Sequence, residues 1–355
     1  NGKIVLVAKP VAKIGETPYT TLAAAVAAVK EGETITILAG THSEGTIKLP
    51  ATLKNVRIKG ESVARSTEGA VLEDMTISAA DGNAYSYIGL TFDGITFDNS
   101  RILLTGWRNG DEIIKNLAVT NCTFKNLNDN TNTAPIHINK DASEAVNGFT
   151  FTNNVIDGAT GGSKSGIYAQ VTGEVKVENN IINNVSFRPY VIQVTTDDGI
   201  ADNFTVKGNT FSGSAVGRAQ GLGNNAEGTD NVNLVVSNNI FKGITDSQQI
   251  CYWNFNPETT TADLSKNYYD IDIVANPNKI YFNSPAADNF ALRDMNVFPI
   301  YTALNEDGTI NTESAFTPKF YIATVGENSY ETLSEAFAAV TDDAQTVVVL
   351  RDVTE

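Results

Sequence analysis

Apolar and polar residues alternate with a period of two in a short phrase that recurs along the middle of the chain. Each copy contains two alternating runs separated by a two-residue turn, which is Asn-Asn in three of the seven copies. Period-two alternation is typical of β-strands, and a fixed spacing of 26 to 32 residues indicates a stack of like units. The copies are residues 90–97, 117–124, 149–156, 175–182, 204–211, 234–241 and 262–269.

The second residue of this two-residue turn is an Asn in five copies: Asn154, Asn180, Asn209, Asn239 and Asn267. Asn tolerates the left-handed backbone conformation, so we expect this residue to form the turn between two strands. In a stack, its side-chain amides can also bond one another as a ladder. Cys122 and Ile95 occupy the same place in the two earliest copies. The ladder is therefore expected to end there and apolar packing to take over.

The Asn pairs, the coil length and the segment 55–62 resemble the right-handed parallel β-helices of the pectin-lyase-like superfamily. The resemblance covers roughly residues 15–300 and implies an all-β fold, a right-handed single-stranded parallel β-helix with an Asn ladder. Each coil would have three strands, and about nine coils would form a rod about 40 Å long. The predicted first strands are residues 136–138, 167–169, 192–194, 250–252 and 280–282.

An amphipathic segment at about residues 19–30 predicts a capping α-helix at the N-terminal end of this rod. Leu22, Val26 and Val29 fall on one helical face. Stacked coils leave open strand edges at their ends, and such a helix would cover them. The predicted β-helix, with its helical cap, spans residues 1–300.

A second repeat lies near the end of the chain, where residues 326–340 copy residues 15–29. Residues 301–320 are rich in turn formers and predict a linker between the copies. Residues 321–355 are either the start of a second copy of the N-terminal module or a C-terminal cap on the first rod. The module resembles openings found in long bacterial cell-surface proteins, which implies a secreted or cell-surface location.

The acidic composition argues against nucleic acid as a partner. The net charge is −16, whereas nucleic-acid binding depends on Lys and Arg. No run of 18 apolar residues occurs, so membrane insertion is not expected. Cys122 and Cys251 are predicted to lie too far apart for a disulfide. No motif for a cofactor or a structural metal is present.

The superfamily includes polysaccharide lyases and glycoside hydrolases, and a lyase is the better match. His42 and His137 do not lie between glycines, as a polygalacturonase motif would require. A lyase needs a basic residue to abstract a proton and acidic residues that hold calcium. Candidate residues near the ends of the predicted first strands are Lys140, Arg188, Asp197 and Asp198.

A binding face on the first strands is the alternative to catalysis. If Ile136 and Ile138 point inward, the residues between them point outward, and the same count applies to later coils. Aromatic and amide side chains in a row suit sugar rings or a protein surface. We expect a non-catalytic surface module that contacts a polysaccharide, a glycan or a surface protein, with a polysaccharide lyase as the alternative. The candidate ligand residues are His137, Tyr168, Gln170, Gln193, Tyr252 and Trp253.

Overall fold

The chain folds into a parallel β-helix. The computed structural model describes residues 9–61, 69–81, 84–105, 113–126, 135–139, 146–157, 165–183, 186–191, 202–212, 220–223, 232–242, 249–253, 261–263, 268–269, 280–282, 323–326, 328–330, 332–342 and 345–349. The predicted linker at 301–320 lies outside these residues. The all-β prediction is confirmed, because stacked parallel strands dominate the described part of the chain.

The secondary structure consists of 33 strands and two helices within the described residues. The N-terminal cap contains β1 (Ala12–Ile14), β2 (Thr17–Tyr19), α1 (Leu22–Ala28) and β3 (Thr34–Ile37). The stack continues through β4 (Gly40–His42), β5 (Thr46–Lys48), β6 (Thr52–Lys54), β7 (Arg57–Gly60), β8 (Ala70–Glu73), β9 (Thr76–Ser78), β10 (Ser86–Ile88), β11 (Thr91–Asp93), β12 (Thr96–Asp98), β13 (Arg101–Thr105), β14 (Ile113–Thr120), β15 (Thr123–Lys125), β16 (Ile136–Asn139), β17 (Val146–Thr152), β18 (Val155–Asp157), β19 (Ser165–Glu178), β20 (Ile181–Asn183), β21 (Ser186–Val191), β22 (Asp202–Lys207), β23 (Thr210–Ser212), β24 (Gln220–Gly223), β25 (Val232–Ser237), β26 (Ile240–Lys242), β27 (Gln249–Trp253), β28 (Thr261–Asp263), β29 (Tyr268–Tyr269) and β30 (Ile280–Phe282). The C-terminal module contains β31 (Ala323–Val325), β32 (Asn328–Tyr330), α2 (Leu333–Ala338) and β33 (Val347–Val349).

Each coil contributes strands to three stacked sheets, as predicted. The first sheet contains β5, β9, β13, β16, β19, β21, β24, β27 and β30; the second contains β3, β7, β11, β14, β17, β19, β22, β25 and β28; and the third contains β4, β8, β12, β15, β18, β20, β23, β26 and β29. The long strand β19 belongs to both the first and the second sheets. Two early coils carry an additional short strand, β6 or β10, before the second sheet.

One predicted pairing is wrong. The strand that pairs with β19 in the first sheet is β21, with Phe187 beside Ile167. Residues 192–194, which were expected in this position, lie outside the described residues. Two apolar alternations follow one another in this part of the sequence, and the earlier one enters the sheet. Phe187 also lies beside Leu222 of β24, so the same register continues through three coils.

The core is a set of in-register apolar rows running along the stack. Parallel pairing places like residues over one another, so Phe97 stacks on Phe124 with ring centroids 4.6 Å apart and planes 5° apart. Ile102 and Ile136 form a fully buried row inside the first sheet. Because each coil buries its apolar residues only against its neighbours, the stack is the stabilising unit.

The Asn ladder forms as predicted from Asn154 to Asn239, and its predicted last member, Asn267, lies outside the described residues. The Asn180 side-chain amide nitrogen donates to the Phe151 carbonyl (2.9 Å) and to Asn209 Oδ1 (2.9 Å). Asn180 Oδ1 accepts from the Asn154 backbone N–H (2.8 Å) and from its Nδ2 (3.2 Å). Asn154 Oδ1 in turn accepts from the Cys122 N–H (2.8 Å), and the ladder gives way to the buried Cys122 and Ile95.

The left-handed turn residue is not the ladder Asn but the residue before it, which corrects the sequence interpretation. The φ angle is +56° at Asn153, +56° at Asn179 and +65° at Gly208, whereas the ladder residues do not have positive φ. The two positions differ for a physical reason. A residue with left-handed backbone bends the chain from the second sheet into the third, and the next side chain then points into the buried turn.

A second column of left-handed residues forms another corner. It contains Asn55 (φ +53°), Gly89 (+65°), Asn116 (+52°), Gly148 (+83°) and Gly173 (+72°). A Cβ at Gly89 would lie 2.6 Å from Asn55 Oδ1, and one at Gly148 would lie 2.6 Å from Asn116 Oδ1. Glycine is therefore required where the amide of the coil below occupies the corner.

The helical cap is confirmed. Helix α1 buries Leu22, Ala25 and Val26, and Thr21 caps its N-terminus by accepting from the Ala24 N–H (3.1 Å). The carboxylate of Glu44, from the first coil, accepts from the Leu22 N–H (2.6 Å). The cap and the first coil are thereby joined by both apolar and polar contacts.

Replacing the ladder residue Asn180 with Ala should lower the free energy of unfolding by about 3 kcal/mol, because buried backbone groups of the coil below lose their partners. Urea unfolding followed by circular dichroism measures this. The neighbouring Asn179→Gly substitution is the matched control and should cost less than about 1 kcal/mol, since glycine accepts the same positive φ. Equal losses for the two variants would contradict the assigned roles.

Gly148→Ala should destabilise the chain more than Gly15→Ala. Both positions have positive φ, but a Cβ at Gly15 meets nothing within 4 Å. Thermal unfolding of both variants measures the difference. A side chain at positive φ costs about 1–2 kcal/mol at either site. The additional loss in Gly148→Ala therefore reports the contact with Asn116. Asn116→Gly should partly restore the stability of the Gly148→Ala chain. A purely additive double variant would refute the contact.

Candidate functional site

The candidate site is one row of residues on the first sheet, here named the His137 row. Leu103 pairs with His137, His137 with Tyr168, and Tyr168 with Arg188 on successive coils. Further along the same sheet, Gly223 pairs with Tyr252, and Tyr252 with Tyr281. Successive strands in a sheet lie about 4.8 Å apart, so the row presents one residue at each such step.

The neighbouring apolar row determines which residues share the His137 row. Ile136, Ile167 and Phe187 are in register, and Leu222, Cys251 and Ile280 continue this row. Ile136 is fully buried, and successive residues of a strand alternate between the two faces of a sheet. Each of these strands therefore has one residue in the apolar row, and the residue that follows it in sequence belongs to the His137 row.

The structure brings together several of the predicted ligand residues. His137, Tyr168 and Tyr252 belong to the His137 row, and Gln170 lies two residues after Tyr168 and pairs with Tyr190. Trp253 is in register with Phe282. It follows Tyr252 directly in β27, so it does not belong to the His137 row. Gln193 lies outside the described residues.

Arg188 was predicted as a catalytic residue of a lyase, and its backbone lies in the His137 row beside Tyr168. Sequence reasoning missed this neighbour because it placed the first strand at residues 192–194. The alternation that starts at Phe187 was the signal that could have found it. Lys140, Asp197 and Asp198 lie outside the described residues, so the predicted catalytic group remains a prediction.

His137 is half-buried within this row. Burial and the nearby positive charge of Arg101 hold the pKa of His137 below its ordinary value of 6.5. Arg101 is itself oriented by donating from Nε to Thr76 Oγ1 (3.1 Å). At neutral pH the imidazole is therefore uncharged, and both of its ring nitrogens are buried.

A second polar cluster, on the second sheet, is structural. The carboxylate of the buried Asp93 accepts from Asn121 Nδ2 (2.7 Å) and Thr120 Oγ1 (2.9 Å) and pairs with Arg57. Burial alone would raise the pKa of Asp93, but the hydrogen bonds from Asn121, Arg57 and Thr120 lower it. These contacts join three successive coils and occupy both carboxylate oxygens. Asp93 therefore has a stabilising role.

Within the described ranges, no group of three or more His, Cys, Asp or Glu side chains could hold a metal ion. The helices of that same part of the chain are too short and insufficiently apolar to cross a membrane. Comparisons with protein-family models, with the curated proteins and with solved structures found no match.

The lowered pKa of His137 predicts a pH-dependent contribution to stability. The unfolded chain takes up a proton as the pH falls below about 6.5, while the folded chain resists it. The free energy of unfolding should therefore fall between pH 7 and pH 5 more steeply for the native chain than for His137→Gln. Urea unfolding at several pH values measures the difference. Parallel stability curves for the two chains would contradict this environment for His137.

Proposed function

We propose that this chain is an extracellular, non-catalytic β-helix module that binds a glycan along the His137 row. The observation that carries the proposal is the register of His137, Tyr168 and Arg188, and of Tyr252 and Tyr281, on successive coils of one parallel sheet. A polymer lying along this row would meet a new residue at each coil. Tyr and His rings can stack on sugar faces, and Arg and Gln can bond hydroxyl groups.

Charge indicates which glycans are favoured. The whole chain carries a net charge of −16, which disfavours polyanionic sugars over neutral ones. His137 is uncharged at neutral pH. The residues in register with it include two cations, Arg188 and Lys48, and Lys48 is paired with Asp81. A neutral or weakly charged polysaccharide is therefore the preferred ligand class.

The superfamily of the chain and its location outside the cell are also part of this proposal. Stacked coils, the Asn ladder and the helical cap support membership of the pectin-lyase-like superfamily. The repeated cap module supports a bacterial secreted or cell-surface protein with several such units. Both are inferences from resemblance and from the repeat within the chain.

A polysaccharide lyase is the second candidate, and the position of Arg188 favours it. A basic residue in the same row as Tyr168 and His137 would face a bound sugar chain. Proton abstraction beside a uronate would also require the carboxylate of the substrate to be neutralised. Calcium held by acidic residues of the protein would do this. Lys140, Asp197 and Asp198 are the residues proposed to complete that group.

Binding to immobilised neutral and acidic polysaccharides tests the first proposal. Tyr168→Ala and Tyr252→Ala should each weaken glycan binding about tenfold, because each removes an aromatic contact. Thr150→Ala, on the second sheet, is the matched control and should bind like the native chain. Binding that is unaffected by both Tyr substitutions would overturn the assignment of the His137 row.

Turnover separates the two candidates. The native chain is incubated with uronic-acid and neutral polymers, with and without calcium, and unsaturated product and reducing ends are measured. Product that disappears in Arg188→Ala and Asp198→Ala would establish the lyase and reject the binding module. Glycan retention without any product would support the module.

A further inference from the structure

The C-terminal module repeats the fold of the N-terminal cap residue by residue. In the cap, β1 pairs antiparallel with β2 and β3, joining Ala12 to Tyr19 and Ile37. In the module, β31 pairs antiparallel with β32 and β33, joining Ala323 to Tyr330 and Val349. The turn between the first two strands uses Gly15 (φ +56°) in one copy and Gly326 (φ +58°) in the other.

The two copies differ in the exposure of one face. In the cap, Val26 of α1 is 1% exposed and Ile37 of β3 is 0% exposed. Their equivalents in the module, Phe337 of α2 and Val349 of β33, are 61% and 51% exposed. The module therefore presents, as solvent-exposed apolar surface, the positions that the cap buries.

The cap shows what belongs on this face. Strand β3 continues into the first coil and pairs in parallel with β7 of that coil, with Ile35 beside Ile58. Ile47 and Leu53 of the same coil are buried in one core with Leu22 and Val26 of α1. In the module, β33 pairs with β31, and its other edge has no strand beside it among the described residues.

The helix N-terminus of the module carries its own carboxylate, whereas that of the cap receives one from the first coil. In α2, Thr332 Oγ1 accepts from the Glu335 N–H (3.1 Å), and the Glu335 carboxylate accepts from the Thr332 N–H (3.3 Å). Thr21 caps α1 in the same way, but the equivalent of Glu335 is Ala24, and the carboxylate at this end comes from Glu44, which accepts from the Leu22 and Ala23 N–H groups. The capping box orders α2 without help from a coil, and so the module can present a formed face.

We propose that Phe337, Val349 and the edge of β33 that has no strand beside it among the described residues form the docking surface for a β-helical coil that continues from β33. This makes residues 323–349 the cap of a second β-helix. The partner has a defined chemistry: a parallel strand with an inward Ile, as Ile58 of β7 provides for the cap, together with apolar residues such as Ile47 of β5 and Leu53 of β6.

Geometry disfavours the C-terminal end of the first rod as the occupant. A strand edge and an inward face together fix the strand direction that a neighbour must have. The cap meets the N-terminal side of a coil with β3 parallel to β7. Turning the same face toward the C-terminal side of a coil reverses β33, and the added pair becomes antiparallel to a sheet whose strands are parallel.

A tandem chain tests the proposal. Residues 38–300 are added after Val349 in place of residues 350–355, so that the first rod's own coils follow the module and residues 333–349 still occur once. Amide hydrogen exchange of residues 333–349 is compared with that of the unmodified chain. Protection should rise about tenfold or more, because β33 gains a strand and α2 gains a core. The control is the tandem chain with Phe337→Asp, in which protection should return toward the unmodified value.

Three results would overturn the proposal. Unchanged exchange in the tandem chain would show that a coil does not dock. Full protection in the unmodified chain that is lost on dilution would identify a second copy as the occupant. Full protection that is independent of concentration would identify a cap on the chain's own rod. Exchange of residues 113–126 serves as an internal reference that the first rod is folded in every sample.

Discussion

The corners of the coils impose the constraint on which the rest of this fold depends. At each corner the chain bends from one sheet into the next while its peptide groups are cut off from water, and an unpaired buried group costs about 1–3 kcal/mol. The chain avoids this cost with two adjacent residues. A left-handed residue such as Asn179 makes the bend, and the Asn180 side-chain amide then bonds the backbone of the preceding coil and the Asn209 side chain of the following coil. The bonds run between coils, so a corner is satisfied only when its neighbour is present.

This dependence on neighbours also organises the surface. Corners that stack keep every strand in register, and in-register strands place buried residues such as Ile102 and Ile136 in one row. The intervening residues must then form rows of their own on the other face. His137, Tyr168 and Arg188 are brought together in this way although they are about 20 to 30 residues apart in sequence. A ligand surface on such a fold is therefore a line with a regular step rather than a pocket.

Sequence periodicity predicted the strands, the ladder and the cap because each repeats a local pattern. It assigned the left-handed turn to the wrong Asn because three of the seven copies place two Asn residues side by side. Gly94, before Ile95, and Gly208, before Asn209, were the clear signs that the first position carries the positive φ. The first strand at β21 was missed because two apolar alternations compete there and Pro189 obscures the earlier one. The charged residues proposed for catalysis follow no period, so the repeat could not position Lys140, Asp197 or Asp198.

The two cap modules show that burial in this fold belongs to the stack and not to the module. Nearly the same sequence buries Val26 completely in one copy and leaves Phe337 largely exposed in the other. The core of the isolated module consists of Ala323, Val325 and Ala336 with partly buried neighbours. A core of that size is marginal, and covering Phe337 and Val349 would add about 1.5–3 kcal/mol for each side chain. A first coil without a cap would likewise expose a strand edge and an apolar face. The module and a following coil thus complete each other by the interaction that already joins β3 to β7.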